Sequence, residues 1–338
     1  MNLKYTVPHE DFRPRLIVWQ LAGENGNESI GFTEGSKELT SYEAKAVLES
    51  IAQMAKPIIV FTGSHLLRKE YLYELVEHGH SLGLKMIIET SPEDITQELM
   101  KQYSVFGPRV FRVLLDHCIE EDYDTRFRRT TAYYTLDRCL RMLRSAGFEI
   151  HLGVTVKEPN IRALAFQHDY AFRKSARGLY CHLSLNRKNL PKGKRDGYTE
   201  EEIEAFIESI AKMKRYSPDS MYFSPQCVQY GFVGYGEGSF EHQKHDEKPF
   251  EWKHVCLGGK RFAYITASGG VQICSGLDAS AGDLRMTGFD FQEIWESSEI
   301  FREQRENGKA CTETRKEIRE EYPDDFLKEL EPNVEYIP

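Results

Sequence analysis

Excess positive charge, an export signal and long apolar runs are what this sequence most plainly lacks. Its 338 residues carry 53 acidic against 44 basic side chains, a formal net charge of −9. Nucleic acids and anionic membranes are held by clustered positive charge, so a general affinity for either is not expected. No charged, apolar and small-residue signal opens the chain, and no apolar run approaches the ~20 residues that cross a bilayer. The cytoplasm is the expected location. Cysteine is also scarce: seven residues, an odd number, are scattered along the chain. Without an export signal, that scatter excludes a disulfide framework and leaves reduced thiols or ligands. Cys118, Cys139 and Cys181 stand among apolar residues and are expected to be small buried hydrophobes.

What is present describes a globular protein. Apolar residues make up 40% and aromatics 12%, which excludes a disordered or fibrous class. The length allows one large domain, or a large and a small one. From Leu16 to about Phe223, short β-branched runs alternate with segments of helical period. The expected strands are Leu16–Leu21, Pro57–Thr62, Leu84–Thr90, Val110–Asp116, Glu149–Val156 and Gly178–Leu185. Between them, Ser41–Met54, Lys69–Leu82, Thr131–Ala146 and Thr199–Met213 place apolar residues at helical spacing. Thr40 or Ser41 ahead of Glu43, and Thr199 three residues before Glu202, have the form of helix starts. Gly83 and Gly147 stand where helices should stop. Repeated strand–helix units imply a parallel sheet with helices outside it, and six units imply a partial (βα)6 barrel rather than a closed one.

Beyond residue 217 the character changes. Pro218 to Trp252 is rich in Gly, aromatics and His without a period, so 218–255 is expected to be a linker or lid. A hairpin, Phe262–Thr266 with Val271–Cys274, then leads to a helix near Phe291–Arg305. The charged tail from Lys316 is expected to be peripheral.

Several segments carry a family resemblance. Arg13-Pro-Arg-Leu-Ile-Val-Trp-Gln-Leu21, Pro57-Ile-Ile-Val-Phe-Thr-Gly63, Leu67–Leu75 and Val113-Leu-Leu-Asp116 resemble the first half of a radical S-adenosylmethionine enzyme. Cys256-Leu-Gly-Gly259, Gly269-Gly-Val-Gln-Ile-Cys274 and Ile294–Arg302 are similar to the SPASM or twitch extension of its peptide- and haem-modifying members. The resemblance implies a TIM-like partial barrel over residues 1–217 and a small, reduced SPASM/twitch-like extension over 256–338.

It also exposes departures. The family binds a [4Fe-4S] cluster through a C-x3-C-x2-C loop after its first strand, and the matching positions here are Asn25, Ser29 and Phe32. Neutral Asn and Ser are poor ligands for soft iron–sulfide, and Phe cannot ligate at all, so no cluster is expected there. The family's Gly-Gly-Glu-Pro turn, which holds the cofactor's amine, matches Gly63-Ser64-His65-Leu66. An imidazole cannot replace a carboxylate opposite an ammonium. An equally strong reading makes His65 a polar rim residue without chemistry.

The resemblance implies one further metal set, Cys256, Cys274 and Cys311, which could hold one auxiliary [4Fe-4S] cluster. The alternative makes them vestiges, with Cys274 buried in the hairpin. A different reading groups His242, His245 and His254 with Cys256 as a zinc site, and leaves Cys227 unplaced. Among carboxylates, Glu89 and Asp116 end strands at the expected mouth and are candidate general bases alongside His65. Pairing with Arg112 or Arg128 is the structural alternative, favoured for Asp116 and left open for Glu89. Gly231–Gly238 and the basic loop Arg187–Arg195 are weak signals, the latter read as a solvated turn.

These features lead to one expectation: a non-radical member of the family that binds a peptide or small-molecule cofactor intermediate, or that partners an active homologue in a heteromer. The alternative is an enzyme of other chemistry at the same mouth, using intact S-adenosylmethionine as an electrophile or employing the auxiliary cluster.

Overall fold

The computed structural model describes residues 12–23, 37–106, 109–115, 131–156, 161–183, 222–227, 258–274 and 280–307, with positions 209 and 213. Six strands run parallel in chain order: β1 (Leu16–Ala22), β2 (Ile58–Gly63), β3 (Lys85–Thr90), β4 (Val110–Leu114), β5 (Glu149–Val156) and β6 (Gly178–Leu183). Each coincides with an expected apolar run to within two residues at its ends. β7 (Tyr222–Cys227) adds in parallel to β6, register Gly178↔Tyr222 to Leu183↔Cys227.

At the other side, β8 (Phe262–Ile265) pairs in parallel with β1, and β9 (Gly270–Gln272) and β10 (Ser280–Asp283) follow antiparallel. The result is a 10-stranded open sheet in the order β10-β9-β8-β1-β2-β3-β4-β5-β6-β7. Its ends do not meet. The expected hairpin therefore extends the barrel sheet itself.

Helices return the chain between parallel strands: α1 (Ser41–Met54), α2 (Leu72–Ser81), α3 (Gln97–Phe106), α4 (Thr131–Ser145) and α5 (Ile161–Arg173). α1 starts on a capping box: Glu43 N–H donates to Thr40 Oγ1 at 3.3 Å and Thr40 N–H donates to Glu43 Oε2 at 2.7 Å. Four orphan N–H groups open every helix, and this reciprocal pair satisfies two of them while fixing the entry of the chain. Gly83 and Gly147 close α2 and α4 with φ of +78° and +81°, as their positions predicted.

Side chains alternate across a strand, so each strand shows one face to the helices and one to the concave interior. Ile17, Trp19 and Leu21, Ile59 and Phe61, and Phe111 and Val113 face the helices, joining Val47, Leu48, Ile51, Leu75 and Val76 in one buried core. Trp19 and Phe61 meet edge to face at 5.7 Å, and Phe111 and Phe148 at 4.9 Å. Cys139 and Cys181 are fully buried in this layer, as expected, and burial pushes the Cys181 thiol well above its ordinary range. Cys118 lies outside the described residues.

Two expectations are corrected. The six positions of β7 form a strand inside the stretch read as an aperiodic linker. α3 and α5 fill places in the six strand–helix units for which no segment was named. The single helix near Phe291–Arg305 is two, α6 (Phe291–Ser297) and α7 (Glu299–Asn307), divided by Ser298 with extended backbone at φ −60°, ψ 126°. Trp295 and Phe301 pack across that break at 5.1 Å, and Arg305 stacks over Trp295 while donating through Nε to the Gly259 carbonyl at 2.7 Å. The α6–α7 corner thereby closes over the start of β8.

Candidate functional site

The concave face carries a row of polar side chains where the alternation of an apolar sheet would place aliphatics. Register pairs Gln20 with Thr62, Glu89 with Arg112, Arg112 with His151, and His151 with Gly178. Thr62 Oγ1 donates to Glu89 Oε1 at 2.8 Å, and Arg112 Nη1 donates to Glu89 Oε2 at 3.2 Å. The Arg112 guanidinium lies 4.0 Å from the Tyr180 ring centre, and its side chain is 2% exposed against 10% for Glu89. Charges so removed from water persist only when paired, and here each stands against the other. Tyr264, from β8, donates to Gln20 Oε1 at 3.1 Å and continues the row past β1.

His151 lies where the row meets β5. Its Nε2 stands 2.8 Å from Glu149 Oε1, so that nitrogen carries the proton and Nδ1 holds the lone pair in the neutral ring. Burial lowers its pKa most, the Glu149 hydrogen bond acts in the opposite sense, and the Arg112 charge lowers it further. The ring packs 5.3 Å from Tyr180. Glycine at 178 makes this possible: a Cβ there would come within 2.8 Å of the Tyr180 ring and 3.4 Å of His151.

At the C-terminal ends of the strands, where parallel sheets gather their functional groups, β2 runs into Gly63-Ser64-His65. Gly63 has φ +139°, and a Cβ on it would meet the Ala22 carbonyl oxygen at 2.6 Å, so this turn is pressed against the end of β1. His65 is left-handed at φ 48°, and Leu66–Arg68 forms a single 3-10 turn with Leu66 and Leu67 buried. His65 Nδ1 stands 3.0 Å from Asp94 Oδ1, on the 3-10 turn Pro92–Asp94 that follows β3. Arg68 Nη2 reaches the same oxygen at 3.4 Å. Asp94 is 2% exposed, whereas the side chains of His65 and Arg68 are 52% and 67% exposed.

The end of β1 is fixed by a second charged group. Lys69 Nζ donates to the Leu21 carbonyl at 2.7 Å and to Glu38 Oε2 at 2.5 Å, while Gly23 N–H donates to Glu38 Oε1 at 3.0 Å. Burial alone would raise the Glu38 pKa, but hydrogen bonds from Lys69 and Gly23 and the Lys69 charge bring it below the ordinary carboxylate value. Positions 23 and 38, on either side of residues 24–36, are held together by this clamp.

Of the anticipated site residues, the structure places His65 and Glu89, on neighbouring strand ends, together with Gly63, Ser64 and Leu66. Glu89 pairs with Arg112, the alternative left open for it, because β3 and β4 put the two in register on the same face. Asn25, Ser29, Phe32, Asp116, Cys256 and Cys311 lie outside the described residues, as do His242, His245 and His254. Cys274, just after β9, is a half-buried thiol in no disulfide. Among the described residues no group of three or more His, Cys, Asp or Glu side chains is placed to hold a metal ion, and no helix is long and apolar enough to cross a membrane. Asp94, His151 and Lys69 escaped the sequence reading, and Arg112 entered it only as a candidate partner for a strand-end carboxylate. The readable signal for Arg112 was a charge in the middle of the apolar strand Val110-Phe-Arg-Val-Leu114.

No family model matches the chain. It is 26% identical over 306 residues to an AdoMet-dependent heme synthase of Methanosarcina barkeri, spanning 87% of this chain and 85% of that protein. A shorter match, 27% over 129 residues, covers 38% of this chain and 32% of an Fe-coproporphyrin III synthase from the same organism. In fold it is similar to Streptococcus suis SuiB bound to its precursor peptide SuiA, with a TM-score of 0.59, 10% identity and coverage of 87% of this chain and 67% of that one.

Proposed function

We propose that this member of the radical S-adenosylmethionine superfamily binds a peptide or small-molecule intermediate at the strand-end mouth, alone or as partner of an active homologue, without generating a radical. The observation that carries the reading is at the β2 turn, where the superfamily's amine-holding acid is matched by His65. Its ring is already committed to Asp94 at 3.0 Å, with Arg68 on the same carboxylate. An ammonium entering there meets an imidazole and a guanidinium first, and the nearest acid is buried behind them.

The donor chemistry of the first loop agrees. Asn25, Ser29 and Phe32 offer no thiolate and do not fit a [4Fe-4S] cluster, so no step of the proposed function runs through one. In this reading residues 1–217 supply the first six strands of the barrel, 218–255 the connection with β7 near its start, and 256–338 a reduced SPASM/twitch-like extension that continues the same sheet. The names of the sequence relatives make a tetrapyrrole the first ligand to try, and the SuiB complex makes a peptide the second.

The test is an anaerobic incubation with dithionite and S-adenosylmethionine. The expected result is no 5′-deoxyadenosine above a protein-free control, with a rise in Tm on adding a tetrapyrrole or peptide that binds the folded state. Protein-dependent 5′-deoxyadenosine would overturn the proposal.

A further inference from the structure

We infer that the β2 turn is a carboxylate anchor, with His65 and Arg68 as the specificity-determining residues and Asp94 as the residue that positions them. The inference rests on the binding function proposed above and names the chemistry of the ligand: an organic anion bearing carboxylates, rather than the amino group for which this turn serves elsewhere in the superfamily.

The first support is the order of charges from solvent inward. His65 and Arg68 are each more than half exposed, and both point their inner nitrogens at one oxygen of Asp94, which is 2% exposed. A buried carboxylate holding two basic side chains from one side fixes their orientation and leaves the outer donors in place. Arg68 uses Nη2 on Asp94, so other N–H groups of its planar fork remain for a ligand. His65 gives Nδ1–H to Asp94, and in the charged ring Nε2–H is a further donor. Donors to a carboxylate are thus available at this turn, Arg68 foremost.

The second support is the backbone. His65 occupies the left-handed region at φ 48°, a conformation a non-glycine residue adopts at a cost. That conformation lets the 3-10 turn fold back immediately, with Arg68 N–H donating to the His65 carbonyl at 2.9 Å. The same four residues thereby present both basic side chains to Asp94. Leu66 and Leu67, buried between them, pin the turn to the core. Lys69, next in sequence, is not part of the anchor because its ammonium is spent on Leu21 and Glu38.

The experiment is a Soret titration of the full chain with coproporphyrin III and with its tetramethyl ester, in wild type, His65→Gln, Arg68→Gln and the double variant. A charge-assisted hydrogen bond to a carboxylate is worth a factor of about ten or more in affinity. The free acid should therefore bind at least about tenfold more tightly than the ester, and each glutamine variant should erode that preference. Arg68→Lys should retain part of it, and Lys45→Gln, which removes a surface pair with Glu74 at 3.1 Å, should leave it unchanged. Equal binding of acid and ester, binding indifferent to both glutamine variants, or no binding by a protein with a native circular dichroism spectrum overturns the anchor. Failure of the non-radical reading is scored separately, by 5′-deoxyadenosine.

Discussion

The most exposed energetic consequence at the residue scale is Arg112. An arginine at the centre of a strand is tolerable because β3 delivers Glu89 beside it and Tyr180 stacks on its guanidinium. Such a pair is weak evidence for stability, since desolvation offsets most of the Coulomb gain, but breaking one partner strands the other charge. Arg112→Met should therefore cost about 3–5 kcal/mol in urea unfolding. Arg112→Met combined with Glu89→Leu should recover most of that loss. A single variant within about 0.5 kcal/mol of wild type, the range of ordinary surface substitutions, would show that the pair does not carry the charge balance of this layer. Glu89 was readable in the sequence as an acid at a strand end. Its pairing with Arg112 was left open beside a general-base role, because nothing in one strand says which charge the neighbouring strand will bring into register.

At the scale of elements, the sequence is most legible where a strand must be buried on both sides. β1 to β6 declare themselves as apolar runs because helices cover one face and the concave interior the other. β7 does not, since Pro225 falls within Tyr222-Phe-Ser-Pro-Gln-Cys227 and proline normally argues against a strand. It is admitted because β7 ends the described sheet, where a missing N–H leaves no neighbour unsatisfied. The break between α6 and α7 was hidden for the opposite reason: apolar residues keep helical spacing through Ser298, and only the corner's packing of Trp295, Phe301 and Arg305 turns the chain. The clamp between β1 and α1 offers a test at this scale. Glu38 has a folded pKa below its ordinary value, so its stabilising contribution is present above the ordinary carboxylate range and is lost as pH falls through the folded pKa. Lys69→Met should remove the ion pair and flatten that acid limb. Comparing denaturation midpoints of the two proteins between about pH 5 and 3 checks this, and parallel curves for wild type and variant would refute it.

For the whole molecule, one sheet joins both ends of the described chain. β8 lies directly against β1 in parallel register from Leu16↔Phe262 to Trp19↔Ile265, so the described part of the C-terminal segment extends the barrel wall instead of forming a remote appendage. That continuity bears on the remaining cysteines. Cys274 follows β9, and Gly258, two residues after Cys256, begins the isolated bridge to Phe262 and packs against Ile273. If the protein carries iron and sulfide at all, thiolates must hold them, and in this reading Cys256, Cys274 and Cys311 are the set. Each replacement by serine removes a soft ligand for a hard, neutral one, which iron–sulfide tolerates poorly. A cysteine acting only as a small hydrophobe would lose packing alone, and metal content would not follow it. In protein purified without oxygen, Cys274→Ser should accordingly abolish iron and sulfide while the far-ultraviolet circular dichroism of the barrel persists. Asn25→Ala and Ser29→Ala should change neither. Iron retained undiminished in Cys274→Ser, or lost on replacing Asn25 or Ser29, would move the metal away from the β8–β9 edge and return it to the loop after β1.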